Sequence, residues 1–225
     1  MSSLKAELRG ETLPDFTLTL PTGWIRQEPT DEAKHSMAAA ARQRLMALHR
    51  PDLFAQTTTM VEKMFREMRR VETVAFFGPG PGAPDSAYLP VSLMASVRRG
   101  QGGASLDDTV AQLIRTEGAT ALGADKRFLR WRRESVESFD GTTVATTTVA
   151  YFTPVPDSGR TRALQLTLVI SHDPVADGDA AFVDALADIF DAHVSTFAWI
   201  PRDGHVVGRQ VALARVAEVF SDPRG

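Results

Sequence analysis

The side chains best suited to acid–base or metal chemistry in this chain are its five histidines. They are His35, His49, His172, His193 and His205. No two of them have the HxxxH spacing or another short ligand spacing, so a metal site would need ligands from distant segments. The neighbours His172 and Asp173 could form a general base if they faced a cleft, but a turn after a strand accounts for them better. We therefore predict no metal ligand and no catalytic residue.

Two glycine-rich segments resemble phosphate-binding loops in composition only. Residues 78–82 alternate glycine and proline, and proline has no backbone N–H to donate to a phosphate oxygen. Residues 99–103 are not followed by the Lys and Ser/Thr of a phosphate loop. No serine lies in a GxSxG elbow, so nucleophilic catalysis is not indicated. The motifs predict a non-enzymatic protein without a cofactor.

A methionine series is the strongest functional lead in the sequence. Met60, Met64 and Met68 recur at intervals of four and share one face of a predicted helix, with Phe65 beside them. Flexible thioethers suit a surface that repacks around varied apolar partners. Met60, Met64, Phe65 and Met68 are therefore the candidate partner-binding residues. The alternative is that they fill the space between this helix and a sheet.

Length, cysteine content and the distribution of apolar residues limit the possible classes of protein and its cellular location. The 225 residues suffice for one large domain with a substantial core, and the absence of cysteine excludes disulfides and thiolate metal sites. The first nine residues mix charges and contain no apolar core of signal-peptide length. No uncharged apolar run approaches the roughly 20 residues that span a bilayer. We expect a cytoplasmic protein without a membrane span.

The charge balance argues against a nucleic-acid partner. The formal net charge is -3, whereas nucleic-acid-binding domains are usually basic. One basic cluster is present, but little aromatic interleaving accompanies it, so it is predicted to be a solvated strand face. Its members are Lys126, Arg127, Arg130, Arg132 and Arg133.

Two helices are predicted in the N-terminal third. The first covers Ala38 to His49, a segment rich in good helix formers, and it ends at Arg50 because the residue before a proline avoids the α region. The second covers about Leu53 to Arg69, where apolar residues recur at helical spacing. Together they predict an N-terminal helical hairpin.

Strands and turns dominate the rest of the chain. The Asp140-Gly141 pair is a strong hairpin turn, and residues 78–84 are expected to form an exposed, mobile loop because of their alternating Gly and Pro. A period of two or a β-rich composition predicts four long strands. They are Leu89 to Val97, Phe128 to Phe139, Thr142 to Thr153 and Leu164 to Ile170.

Two further helices complete the predicted domain. Ser105, three residues before Asp108, resembles a capping box and starts a helix from about Leu106 to Glu117, which Gly118 ends. Asp179 is predicted to cap the last helix, whose broad apolar stripe would cover a sheet face. The stripe consists of Phe182, Val183, Leu186, Ile189, Phe190, His193 and Val194.

These elements predict a single α+β domain over residues 1–201. A twisted, mainly antiparallel sheet is covered by helices, and the N-terminal helical hairpin is attached to it. Residues 202–225 are expected to form a tail with one short helix, which docks on the body or on a partner.

The opening of the chain resembles a known fold family. Residues 16–24, Phe-Thr-Leu-Thr-Leu-Pro-Thr-Gly-Trp, resemble the F-x-hydrophobic-P-x-G-W opening of the PsbP-like fold. Residues 151–154, the strand from Leu164 to Ile170 and the segment from Phe182 to Trp199 resemble the end of that fold. The group contains the photosystem II extrinsic PsbP protein, a Ran-binding nucleotide-release protein and bacterial Eag-type chaperones of type VI secretion. The chain departs from the usual pattern of this group in the length of its helical region from Ala33 to Arg70.

The resemblance implies a mostly non-enzymatic interaction module. We therefore expect a cytoplasmic protein-binding module, a chaperone or adaptor for a secretion or toxin system, whose partner is an apolar effector helix. The alternative is a protein that binds a small ligand or a lipid in a cavity between helices and sheet. Self-association into a homo-oligomer is left open.

Overall fold

The structure is a computed structural model that describes residues 13–139, 142–173 and 179–200. In these residues the chain forms an α+β fold with four α-helices and a seven-stranded antiparallel sheet. The predicted fold class is confirmed at this level. The predicted C-terminal tail, residues 202–225, lies outside the described residues, as does the turn at Asp140-Gly141.

The sheet is wholly antiparallel between its described neighbours. In chain order the strands are β1 (Asp15–Thr17), β2 (Trp24–Gln27), β3 (Thr73–Pro79), β4 (Val91–Arg99), β5 (Thr120–Leu122), β6 (Asp125–Phe139), β7 (Thr142–Pro154), β8 (Arg162–His172) and β9 (Ala198–Ile200). The large sheet has the order β2-β3-β4-β8-β7-β6-β5. Strands β1 and β9 pair separately, and they bring the two ends of the domain together.

The helices are α1 (Asp31–Ala47), α2 (Phe54–Arg70), α3 (Asp107–Glu117) and α4 (Asp179–Ser195). Helix α1 begins seven residues before the predicted start at Ala38, because the Thr30 hydroxyl accepts a hydrogen bond from the Ala33 N–H (3.1 Å). The predicted capping box at Ser105 is wrong. Its hydroxyl accepts from the Asp107 N–H instead, and α3 ends at Gly118 with φ of 64°.

The predicted long hairpin around residues 155–161 is confirmed. Strands β7 and β8 pair from Ala145 opposite His172 to Pro154 opposite Ala163. Strand β8 also pairs with β4 along its length and is therefore central in the sheet. Its alternate side chains are fully buried, as the period of two predicts. They are Leu164, Leu166, Leu168 and Ile170.

Helix α4 covers one face of the sheet. Four residues of the predicted stripe are buried against β7 and β8, namely Val183, Leu186, Phe190 and Val194. Phe182 and Ile189, also predicted in the stripe, are 44% and 49% exposed. Each residue of a helix rotates the side-chain direction by about 100°, so Phe182 and Ile189, seven residues apart, lie on the same side of α4. That side is the edge of the predicted stripe. The buried stripe is therefore narrower than predicted.

Among the described residues, the opposite face of the sheet is covered by helix α2 over β3 and by helix α3 over β6 to β8. Helix α2 packs on β3, where the Phe65 and Phe76 rings lie 5.6 Å apart. Helix α3 covers Phe152 of β7 and Ala163 of β8. The strand segments between these helices, which include Thr167, remain only half-buried. In the described part of the chain, the strand surface between the two helices therefore stays accessible.

A tight turn at residues 21–24 leads into β2, and the buried Trp24 side chain fixes its position. Gly23 has φ of +82°, a region that favours glycine, and the Trp24 N–H donates to the Pro21 carbonyl at 3.0 Å. The Trp24 indole N–H donates to the Ala87 carbonyl at 2.8 Å, and its ring centroid lies 5.4 Å from that of Phe190. The Pro-Thr-Gly-Trp segment therefore joins β2 to the core under α4.

The prediction of an exposed, mobile loop at residues 78–84 is wrong for its first three residues. Gly78 and Pro79 belong to β3 and pair with β2. The Gly80 N–H donates to the Gly23 carbonyl at 2.9 Å, and Gly80 is buried. Strand β2 is far away in sequence, so the local Gly/Pro composition could not show this partner. Residues 81, 82 and 84 are exposed, as expected.

Candidate functional site

The methionine face is divided between core and surface. Phe65 and Met68 are 0% and 2% exposed and pack against the sheet, whereas Met60 is 64% exposed and Met64 is half-buried. Four residues advance a helix by about 400°, so each interval of four turns the side chain a further 40° around the axis. Met60 and Met68 therefore point in different directions. The partner-binding role of these residues stays a prediction, and only Met60 and part of Met64 are accessible for it.

His172 lies between Thr147 and Asp179. Its Nε2 is 3.3 Å from the Thr147 hydroxyl and its Nδ1 is 3.9 Å from an Asp179 carboxylate oxygen. The order resembles a nucleophile, base and acid, but Thr147 is 0% exposed, so no substrate can reach its hydroxyl. The group connects α4 to the sheet. Among the described residues, no cluster of three or more His, Asp, Glu or Cys could hold a metal.

A buried polar network lies beneath α4. The Tyr151 hydroxyl donates to Asp191 at 2.7 Å, and the Arg130 Nε–H donates to the same carboxylate oxygen at 2.9 Å. Burial raises the pKa of Tyr151 far above its ordinary value, and the Asp191 carboxylate raises it further. The phenol therefore stays neutral and acts as a hydrogen-bond donor between sheet and helix. Its full burial makes a structural role the better interpretation.

A concave site lies on the other face, between α3 and the sheet. It is a cleft of about 420 Å³. Its floor consists of Thr148, Ala150 and Phe152 of β7 and Gln165 of β8. The wall formed by α3 and the residue before it includes Leu106, Thr109 and Leu113. We call this site the α3 cleft.

The register of the antiparallel strands shows which side chains of β6 border the α3 cleft. Trp131 lies opposite Ala150, and Arg133 lies opposite Thr148, so both project to the cleft side of β6. Arg98 and Arg99 reach the cleft from the end of β4. Strands β4 and β6 are three strand spacings apart, which is about 14 Å. Arginines therefore approach the same cleft from two sides.

The three guanidinium groups of the α3 cleft have different partners. Arg99 pairs with Glu72 at 3.1 Å, and Arg133 pairs with Glu117 at the end of α3. Hydrogen bonding to Glu117 raises the pKa of Arg133 above its ordinary value. Arg98 instead donates from Nε to the neutral Gln165 Oε1 at 2.8 Å. Within the described ranges, no carboxylate lies within 4 Å of the Arg98 side chain.

A second hollow lies on the other side of α3. It has a volume of about 330 Å³ and shares Leu106 and Phe152 with the α3 cleft. Cationic side chains line it, among them Arg127, paired with Asp125, and Arg160, paired with Asp107. Helix α3 thus lies between two hollows, and none of its own residues is buried.

The cluster predicted as a solvated strand face is divided between the two faces of β6. Arg130 and Arg132 reach Asp191 and Asp184 on α4, so they connect helix to sheet. Arg133 projects into the α3 cleft. Alternation along a strand explains this division. Alternation along the strand is visible in the sequence and places Trp131 and Arg133 on one face of β6. The sequence could not show which element covers that face.

The comparisons with known proteins assign no family. No protein-family model matches the sequence, and no curated protein matches it. A solved structure from Bacteroides thetaiotaomicron VPI-5482 is similar at a TM-score of 0.39 and 9% identity, over 84% of this chain and 46% of that one. The chain thus spans less than half of that protein's length. None of the helices in the described ranges is both long and apolar enough to cross a bilayer.

Proposed function

We propose that this protein is a non-catalytic protein-binding module and that the α3 cleft is its recognition site. One observation carries the proposal. The cleft combines three guanidinium groups, an indole and apolar side chains, and no carboxylate is among its described lining residues. Concave sites with an apolar lining and a few convergent polar groups are where proteins bind their ligands.

The form of the α3 cleft fits a segment of a partner chain. A volume of about 420 Å³ accommodates a few side chains, and the cleft is open to solvent along the sheet face beside α3. Tryptophan and arginine, which both line it, are the residue types that contribute most at protein interfaces. A linear segment laid along β7 and β8 would bury Trp131 and Leu113 without any change of fold.

The narrower proposal is a cytoplasmic chaperone or adaptor for a secretion or toxin system, built on the PsbP-like fold. Its basis is the sequence resemblance, which is an argument by analogy. The Pro-Thr-Gly-Trp turn at β2 and the covering helix α4 agree with that fold. In this proposal α1 and α2 form the helical hairpin, since Arg69 near the end of α2 pairs with Asp31 at the start of α1 (3.5 Å).

A second candidate function is the binding of a small ligand or lipid. The α3 cleft lies between a helix and the sheet, where the sequence predicts such a cavity, and its volume falls within the usual range of about 300–1,000 Å³ for ligand sites. Its arginines would contact an anionic head group. The openness of the cleft favours a partner segment over an enclosed ligand.

The experiment uses the absence of cysteine from the chain. Thr109→Cys introduces one thiol on the α3 wall of the cleft, and Ile189→Cys introduces one on exposed α4, on the other face of the sheet. Each protein is alkylated with a bulky maleimide and used to capture partners from its native lysate. We expect the unmodified protein to capture one partner in stoichiometric amount, and we expect alkylation at position 109 to prevent this capture. Alkylation at position 189 should leave it bound.

A third variant, Met60→Cys, tests the methionine face in the same assay. Loss of the partner on alkylation at position 60, with full retention at position 109, would contradict the α3 cleft and favour the original candidate residues. A retained small molecule, detected by mass spectrometry of the native purified protein and displaced by alkylation at position 109, would favour the second candidate function.

A further inference from the structure

We infer that the α3 cleft recognises a carboxylate adjacent to an apolar side chain in a partner segment. This inference rests on the proposed function of the cleft. The occupant is thus a peptide in which Asp or Glu neighbours an aromatic or aliphatic residue. Charge, donor geometry and apolar lining each support this chemistry.

The charge of the α3 cleft is positive and only partly compensated. Glu72 and Glu117 pair with Arg99 and Arg133, but neither glutamate lines the cleft. Arg98 has only the neutral amide of Gln165. Since no described carboxylate neutralises Arg98, one guanidinium is available to an external anion. A single uncompensated positive charge matches the single negative charge of a carboxylate.

The Arg98 guanidinium is also held in a defined position. Its Nε–H donates to Gln165 Oε1 at 2.8 Å, and Gln165 Nε2 in turn donates to the Thr167 hydroxyl at 2.9 Å. The second bond orients the amide so that its oxygen faces the arginine. In the described part of the chain the terminal Nη groups make no further hydrogen bond. Arginine presents paired N–H donors that match the two oxygens of a carboxylate.

Further donors line the same cleft. The hydroxyls of Thr109 and Thr148 and the indole N–H of Trp131 have no hydrogen-bond partner among the described residues, and all three side chains line the site. An ionised carboxylate only accepts hydrogen bonds, so it is the complementary group. Thr148 and Trp131 are half-buried, so their donors lose bulk water when a segment binds and then need acceptors from the ligand.

The rest of the lining is apolar. Leu113 faces the sheet from α3, while the Trp131 and Phe152 rings are 6.5 Å apart on the other side. Phe152 is already buried, but a carboxylate alone would leave the half-buried Leu113 and Trp131 side chains in contact with water. An aromatic or aliphatic side chain next to the acid would cover them and exclude water from its ion pair, which strengthens the attraction to Arg98. The cleft therefore favours an acid in an apolar context over an acidic run.

A positional-scanning library of acetylated nonapeptides tests the inference. The central position is fixed as Asp, Glu, Asn or Gln, and binding to the immobilised protein is compared at low and high salt. We expect the acids to bind about tenfold better than their amides, with aromatic or aliphatic residues selected beside them, and the preference to weaken in high salt. Arg98→Gln should abolish the preference, and Arg98→Lys should retain part of it.

Arg115→Gln is the matched control. It removes the same charge from exposed α3 but does not line the cleft, so it should keep the acid preference. Since Arg98 is exposed, Arg98→Gln should fold normally, and circular dichroism and the melting temperature check this. Peptide binding with equal signals for acids and amides would overturn the carboxylate inference while leaving the proposed function intact.

Failure of every peptide to bind would count against the proposed function instead. A second experiment then tests whether the cleft binds a carboxylate at all. 3-Phenylpropionate and the neutral 3-phenylpropanamide are titrated while the fluorescence of Trp131 is followed, with Trp131→Phe as the blank. Selective binding of the acid, lost in Arg98→Gln, would overturn the partner segment and assign a free small acid to the cleft. No response to either compound would overturn the inference altogether.

Discussion

Helices α3 and α4 cover opposite faces of the same sheet in very different ways. Helix α4 has five buried residues, including Phe190 and Val194 at 0% exposure. Helix α3 has none, and its Ile114 is 49% exposed. On the α4 side the sheet presents the continuous apolar face of β8. On the α3 side it presents Thr, Gln and Arg around a cleft of about 420 Å³.

The difference shows how the two faces divide their roles. Burial of apolar area stabilises the fold by roughly 25 cal/mol per Å², so the α4 face, which holds the largest cluster of buried apolar residues, contributes more hydrophobic stabilisation than the α3 face. In the proposed function the α3 face keeps its area exposed for a partner, and none of the residues of α3 is buried. Helix α2 is intermediate, because its Phe65 and Met68 are buried while its Met60 is exposed. Four predictions, based on six substitutions, test this contrast.

The largest effect is expected on the α4 face. Phe190→Ala should lower the free energy of unfolding by about 3–5 kcal/mol, because a fully buried ring is lost and a cavity remains between α4 and Trp24. Ile189→Ala, the adjacent and half-exposed position, should change it by less than about 1 kcal/mol. Urea denaturation followed by fluorescence measures both. Equal losses would show that α4 is rotated relative to the structure.

The methionine series should respond according to burial. Met68→Ala is expected to cost about 2–5 kcal/mol, since Met68 is 2% exposed in the core between α2 and the sheet. Met60→Ala should be nearly neutral for stability because Met60 is 64% exposed. Thermal unfolding of the two variants makes the comparison. A neutral Met68→Ala variant would restore the uniform partner-binding face that the sequence predicts.

The polar network under α4 should have a smaller, pH-dependent effect. Tyr151→Phe removes the hydrogen bond to Asp191 and should cost about 1–3 kcal/mol at pH 7. Because the folded pKa of Tyr151 is raised, its stabilising contribution is complete below pH 10, where unfolded tyrosine is neutral, and decreases as the pH rises further. The difference between wild type and Tyr151→Phe should therefore shrink above pH 10 in denaturation curves recorded from pH 7 to 11. A constant difference would contradict the raised pKa.

The smallest effect on stability is expected at the end of α3. Glu117→Gln removes the carboxylate partner of Arg133, whose side chain is 64% exposed, so the loss should stay below about 1 kcal/mol and vanish in high salt. The same change frees a second guanidinium in the α3 cleft. Acidic peptides should then bind more tightly to Glu117→Gln than to wild type in a fluorescence titration. Weaker binding would mean that Glu117 itself supports the site.

Much of the sheet could be predicted from the chain. The period of two located the buried residues of β8, and the apolar strand Leu89 to Val97 became β4, two residues displaced at each end. These predictions succeed because side-chain direction in a strand follows from local geometry. The capping box at Ser105 failed because its hydroxyl accepts from the nearer Asp107 N–H. The loop prediction failed at residues 78–80 because these residues contact β2 and the turn before it, which are distant in sequence.

The candidate site could not be predicted in the same way. Its residues come from β4, α3, β6, β7 and β8, between positions 98 and 165. Nothing in the local pattern around Arg98 shows that Gln165 lies on the neighbouring strand and orients it. Conversely, Met60, Met64 and Met68 look alike in sequence and differ in burial. Helical spacing shows which residues share a face, but only packing shows how wide the buried stripe is.

The sequence by itself determined the α+β class, the long β7–β8 hairpin and the apolar face that α4 covers, since all three follow from local periodicity and turn chemistry. The tertiary structure decided the strand order β2-β3-β4-β8-β7-β6-β5 and the position of α3 over strands β7 and β8. It also decided which arginines meet carboxylates. Pairing between distant strands brings these groups together, and the free energy that selects one pairing is a property of the whole packed core.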